Sequence, residues 1–218
     1  RQALNGLLLE VEGDNASLVG TDGHRLAMIS RPVKSNAKKG EVLSFLLPKK
    51  ALSELLKLME DEDVTFGFSS QGNHLAFICS KQVIVSRKID GKFPNYRQVI
   101  PSDNPLKAKA DRSGLTHALK RVALLADEKS KMVRFEIQKG NLSLISDNTD
   151  LGAAHEEMPI EYDGEEVSIG LNAKYVLDIL NVMEGDSVTL NLKDQNHSCL
   201  FIVGDDDRYK SIVMPMRL

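Results

Sequence analysis

Five histidines, two cysteines, a glycine-spaced loop and two acidic runs are the parts of this 218-residue chain whose side chains could do chemistry. A catalytic site would need a nucleophile beside a base, a pair of carboxylates with shifted pKa, a metal cluster or a cofactor loop. His24, His74, His117, His155 and His197 stand one per segment, with no second His or Cys at ligand spacing, so surface or turn positions are expected for them. Gly67-Phe-Ser-Ser-Gln-Gly72 has half the spacing of a phosphate loop, but Asn73 and His74 stand where Lys and Ser or Thr are required, and a hairpin tip is expected instead. The runs Asp61-Glu-Asp63 and Asp205-Asp-Asp207 lack the alternation and closing Glu of a calcium loop and read as solvated loops. No G-x-S-x-G, G-x-G-x-x-G or H-E-x-x-H occurs. The expectation is a binding scaffold with no catalytic residue, no metal and no cofactor. One motif stays conspicuous, Thr21-Asp-Gly-His-Arg-Leu-Ala27, in which Asp22-Gly23 reads as a tight turn and Leu26 as a core residue.

The bulk composition narrows the class. A hydrophobic share of 42% and a charged share of 27% are those of an ordinary folded protein, and the length allows one large domain or two modest ones. A net charge of -3 argues against the strongly basic footprint of a tight nucleic-acid binder, while leaving room for loose DNA contact through one basic face. No apolar run approaches the roughly 18 residues of a membrane span. The start, Arg1-Gln-Ala-Leu-Asn, has neither an initiator Met nor a signal-peptide core, so the chain is expected to begin inside a longer, cytoplasmic one. Cys79 and Cys199 lie in apolar, strand-like runs and read as core thiols.

The elements that would position any site repeat. Pro48-Lys-Lys-Ala-Leu-Ser-Glu-Leu-Leu-Lys-Leu-Met-Glu60 puts Leu52, Leu55, Leu56 and Met59 on one helical stripe, and Asn172-Ala-Lys-Tyr-Val-Leu-Asp-Ile-Leu-Asn-Val-Met-Glu184 does the same with Val176, Ile179, Leu180 and Met183, Asn172 being a capping residue type. At the same offset Val64-Thr65-Phe66 falls opposite Val188-Thr189-Leu190, and Phe77-Ile78 opposite Phe201-Ile202. Hairpins are predicted around Gly13-Asp14-Asn15 and Lys139-Gly140-Asn141. A period of roughly 125 residues is that of tandem domains rather than a solenoid. The boundary is placed near residue 98, ahead of Val99-Ile-Pro-Ser-Asp-Asn-Pro105, giving domains 1–98 and 99–218. The second unit opens with a helix over residues 113–125 that the first lacks, which reads as a first unit truncated ahead of its opening helix.

Thr21-Asp-Gly-His-Arg-Leu-Ala27, Leu4-Asn-Gly6, Asp90-Gly-Lys-Phe-Pro-Asn-Tyr-Arg97, Asn172-Ala-Lys-Tyr-Val-Leu-Asp178 and Val213-Met-Pro-Met-Arg-Leu218, in that family's spacing along the chain, resemble the bacterial beta sliding clamps, the beta subunits of DNA polymerase III. The resemblance covers the whole chain and corresponds to most of the middle domain and all of the carboxy-terminal domain of a three-domain subunit. It implies an α+β fold of two tandem DNA-clamp domains, with antiparallel sheets outside and helices on an inner, DNA-facing side. It also implies a function: a homodimeric ring that encircles duplex DNA without sequence preference and tethers the replicative polymerase, the clamp loader and repair proteins through short apolar peptides. A clamp that slides cannot hold phosphates through many fixed contacts, so only its inner helices should be basic. Lys49, Lys50, Lys57, Arg112, Lys120, Arg121 and Lys174 are the expected lining.

By the same resemblance a peptide pocket lies between the two domains. Leu26, Pro94, Val99, Ile212 and Met214 would form its deep apolar part, and Leu4, Thr21, Gly23, His24, Arg25, Asn172, Tyr175, Val213, Pro215, Met216 and Arg217 the adjoining groove. Methionines suit a site that accepts several ligands, because their side chains repack at little cost. Gln98 stands where relatives often carry Arg, which removes a rim charge, and Gln2-Ala3 stands where some carry aromatic residues that contact DNA. Arg121, Leu124 and Leu125 match one side of the subunit interface, with a core role the other reading of the leucines. Without an amino-terminal domain to receive the partner, the chain alone is not expected to close a ring. The alternatives are a peptide-binding adaptor that does not encircle DNA and an enzyme whose site carries no recognised motif.

Overall fold

The structure, a computed structural model, describes residues 2–38, 40–58, 66–79, 82–203, 206 and 208–218. The chain divides into two compact units, Arg1–Asp22 with Met28–Asn95, and Gly23–Ala27 with Tyr96–Leu218. The second thus contains a short piece borrowed from early in the sequence, and that piece is the middle of the conspicuous Thr21 to Ala27 motif.

The first unit is built on β1 (Gly6–Glu12), β2 (Asn15–Thr21), the part of β3 (Arg25–Pro32) from Met28 onward, and β4 (Val42–Pro48), hydrogen-bonded in the order β4-β1-β2-β3, followed by α1 (Lys49–Leu58) and an antiparallel sheet of β5 (Phe66–Gln71), β6 (His74–Cys79) and β7 (Gln82–Arg87). The β1–β2 register, Leu8↔Val19 to Glu12↔Asn15, closes on Gly13, whose φ of 55° is a left-handed conformation that glycine adopts without strain. Leu55 of α1 packs with Phe45, Leu47, Leu75 and Phe77, with Leu52 partly buried against them. Gly67 lies within β5 and Gly72 at the β5–β6 turn, so the phosphate-loop spacing is a hairpin.

The second unit repeats the plan with an added helix. Its elements are β8 (Leu106–Asp111), α2 (Arg112–Val122), β9 (Met132–Gln138), β10 (Asn141–Asn148), β11 (Gly152–Pro159), β12 (Val167–Asn172), α3 (Ala173–Val182), β13 (Ser187–Leu192), β14 (Cys199–Val203) and β15 (Tyr209–Val213). Two antiparallel sheets run β11-β10-β9-β12 and β15-β14-β13-β8. Both helices have side-chain caps: Asp111 accepts from the Gly114 backbone N–H, and Asn172 accepts from that of Tyr175 at 3.1 Å. The stripe Val176, Ile179, Leu180 and Met183 is buried with Leu115, Leu119, Phe135 and Phe201 in one core. Cys199 is in this core, and burial pushes its thiol well above the ordinary range; the side chain of Cys79 lies outside the described residues.

The structure corrects one position of the predicted stripes. Leu56, expected to face the core, is 72% exposed, whereas Leu180 at the equivalent place in the second helix is fully buried. The difference follows from α2, which packs beside α3, while among the described residues the first unit has α1 alone. Met59 and the strand start at Val64-Thr65 lie outside the described residues, as do both acidic runs except Asp206. The helix predicted over residues 113–125 stops at Val122 and continues as a 3-10 turn, Ala123–Leu125.

Candidate peptide-binding site

The second unit brings together residues far apart in sequence at the end of β15. Ile212 and Val213 are completely buried there, after which Met214 emerges 40% exposed and its backbone N–H donates to the His24 carbonyl at 2.9 Å. The tail continues to Met216, whose N–H donates to the Gly170 carbonyl at 2.8 Å in an isolated antiparallel bridge. A side chain at Gly170 would place its Cβ 2.8 Å from the Met216 carbonyl oxygen, so glycine is what lets the tail lie on β12. Gly170 did not stand out in the sequence, because its role depends on a segment 46 positions away.

Leu26, from the borrowed piece, is buried, while Val99 is exposed just past the 3-10 turn Tyr96–Gln98 and donates its N–H to the Tyr96 carbonyl. Beside Leu26, Arg25 reaches α3: its guanidinium carbon stands 4.4 Å from the centroid of the Tyr175 ring, and Nη1 donates to Asp178 Oδ2 at 2.7 Å. Lys174 Nζ bonds the same oxygen at 2.8 Å. Partial burial raises the Asp178 pKa, but the hydrogen bonds and charges of Lys174 and Arg25 outweigh it and hold the carboxyl below the ordinary Asp range. Asn172 both caps α3, fixing the turn that carries Tyr175, and donates Nδ2–H to the Ser130 carbonyl at 2.9 Å. Gly23, His24, Gln98 and Arg217 are exposed, and Pro215 is half-buried. Chemically, this is an apolar strand end rimmed by polar and cationic groups.

The remaining expected groove residues belong to the first unit. Leu4 is half-buried in the 3-10 turn Gln2–Asn5, Thr21 ends β2, and Pro94 is exposed.

The expected basic lining is uneven. Lys49, Lys50 and Lys120 are exposed, and Lys57 is exposed but paired with Glu54 at 2.9 Å. Lys174 is committed to Asp178. Arg112 is not a free cation at all: Nε donates to the Gly185 carbonyl at 2.6 Å and Nη1 to the Leu180 carbonyl at 2.9 Å, closing the C-terminal end of α3. At the expected subunit contact, Arg121 makes a two-point ion pair with Glu156, which raises the arginine pKa and lowers that of the glutamate. Leu124 is 76% exposed and Leu125 half-buried, so Leu124 has no core role.

All five histidines are exposed. No group of three or more His, Cys, Asp or Glu among the described residues could hold a metal. No helix there is long and apolar enough to cross a membrane.

Residues 1–95 match the family DNA polymerase III beta subunit, central domain, and residues 97–217 match DNA polymerase III beta subunit, C-terminal domain. The beta sliding clamp of Pseudomonas aeruginosa is 35% identical over 218 residues, covering 100% of this chain and 59% of that relative. A crystal structure of the DNA polymerase sliding clamp from the same organism superposes with a TM-score of 0.95 at 35% identity, over 100% of this chain and 60% of that one. Another clamp structure from that organism, bound to griselimycin, gives 0.94 at 35% identity, over 99% and 58%. This chain therefore spans about three fifths of the relatives' length. With both of its domains matched and its two-unit, sheet-dominated architecture shared, the chain belongs to the DNA polymerase III beta subunit family, the beta sliding clamps.

Proposed function

We propose that this chain is the middle and carboxy-terminal part of a replication processivity clamp, and that the end of β15 with its tail is where short apolar peptides of polymerases, clamp loader and repair proteins dock. The observation that carries this reading is the convergence of Leu26, Ile212 and Met214 with the Arg25–Tyr175–Asp178 cluster. Met214 is 40% exposed two residues after buried Ile212, with its backbone bonded to His24, two residues before buried Leu26; a flexible apolar side chain left in solvent at such a place is how a peptide hot spot is prepared. That a relative has been crystallised with griselimycin supports a ligand-accepting surface in this fold. The deep role for Pro94 and the groove roles for Leu4 and Thr21 belong to the same proposal.

The whole subunit would act as a homodimeric cytoplasmic ring that slides on duplex DNA and performs no reaction. Lys49, Lys50, Lys57 and Lys120 are the side chains best placed to face phosphates; Arg112 and Lys174 would do so only by giving up the partners described above. Arg121, Leu124 and Leu125 would meet the partner subunit. The test is a titration of the chain with a fluorescent Gln-Leu-x-Leu-Phe type peptide, expected to saturate and to be lost in Met214→Ala. Equal binding by wild type and Met214→Ala would overturn the assignment of the site.

A further inference from the structure

We propose that Asp178 is a positioning residue for the peptide groove: by holding Arg25 it fixes the guanidinium over the Tyr175 ring, and so sets one wall of the groove before a peptide arrives. This rests on the peptide-binding reading above and names a determinant of that same site. Asp178 follows Tyr175 by three positions on α3, which puts both side chains on one face of the helix. Arg25 comes from a segment 153 residues away and meets both at once, the ring at 4.4 Å and the carboxylate at 2.7 Å. A lone arginine over a tyrosine keeps several rotamers. A carboxylate at hydrogen-bond distance on the same helix removes most of them. Lys174, one turn earlier, bonds the same oxygen, so the carboxylate is itself held in place and kept ionised.

The exposure of the pair separates this role from a structural one. The side chains of Arg25 and Asp178 are 32% and 40% exposed, and an ion pair so open to water adds little to fold stability. Its value lies in order: a pre-set wall spares the peptide the entropic cost of arranging it. Removing Asp178 should therefore weaken binding far more than it weakens the fold.

The experiment is a double-mutant cycle on the whole chain, with affinity for the fluorescent peptide and thermal midpoint measured for wild type, Asp178→Ala, Arg25→Ala and the double variant. Asp178→Ala is expected to weaken binding about fivefold while the midpoint moves by less than about 2 °C. In the Arg25→Ala background the same change is expected to cost less than about twofold, because Asp178 acts through Arg25. Asp178→Glu, which keeps the charge, should recover at least part of the loss. The inference is overturned if Asp178→Ala binds as wild type does, or if the loss is equal in both backgrounds. A wild-type chain that binds no peptide would overturn the underlying site reading instead. Should Asp178→Ala not fold, the role is structural and the proposal fails, with Asp178→Asn read the same way as a second variant.

Discussion

At Met214 the chain passes from a fully buried strand end into a tail held by two backbone hydrogen bonds, one to His24 and one to Gly170. Replacing this methionine with alanine removes apolar surface the strand does not need but a ligand would, so peptide affinity should fall at least tenfold with the thermal midpoint little changed. Gly170→Ala is expected to act from behind: its Cβ meets the Met216 carbonyl, backbone that cannot swing aside, so the tail shifts and binding weakens although no groove side chain is altered. Asp178 also gives a sign for pH. Its folded pKa is depressed, so the stability it contributes is present above the ordinary Asp pKa of about 3.9 and is lost as pH falls through the lower folded value. Melting curves of wild type and Asp178→Asn should differ most near neutrality and converge in acid; a gap that widened on acidification would contradict the ion-pair account. Of these residues, Met214 is named in the sequence through its family motif, as a proposed pocket residue. Gly170 and Asp178 were not singled out, because a close backbone approach and a shared ion-pair partner exist only once distant segments meet.

The two helices that look alike in sequence behave differently as elements. The stripe over Leu52, Leu55 and Leu56 and the stripe over Val176, Ile179 and Leu180 have identical spacing, and spacing predicts burial for all six. Leu180 follows that rule, in a core that α2 and the strands share with α3; Leu56 stands in solvent, with no second helix beside α1 among the described residues. Periodicity marks the face of a helix that can be buried and is silent about whether a neighbour is there to bury it. Leu180→Ala should accordingly cost about 2–5 kcal/mol in chemical denaturation, and Leu56→Ala no more than about 0.5 kcal/mol. The hairpin turns were legible in the sequence, since a left-handed glycine at each tip leaves a local signature, whereas the strands run up to two residues further than the pattern predicts. The borrowed segment Gly23–Ala27 was not, because the sequence keeps it inside the first unit, whereas contacts made only in the fold, among them the hydrogen bond from Met214 to His24 and the reach of Arg25 to α3, tie it to the second.

At the scale of the whole molecule, the repeat supplies the argument for a clamp: one domain plan is used twice, with exposed lysines on α1 (Lys49, Lys50) and α2 (Lys120), and about two fifths of the relatives' length lies beyond this chain. Leu124, 76% exposed beside the Arg121–Glu156 pair, is the kind of apolar residue that a subunit contact would cover. Light scattering of residues 1–218 alone is expected to report a monomer that does not encircle DNA. The proposed clamp activity belongs to the complete subunit and is topological. Retention of that protein on circular duplex DNA, followed by linearisation with a single cut, tests it most directly: the account predicts stable retention on circles and release from the ends once the DNA is cut. Equal retention on circular and linear DNA would contradict it and leave a peptide-binding adaptor in its place.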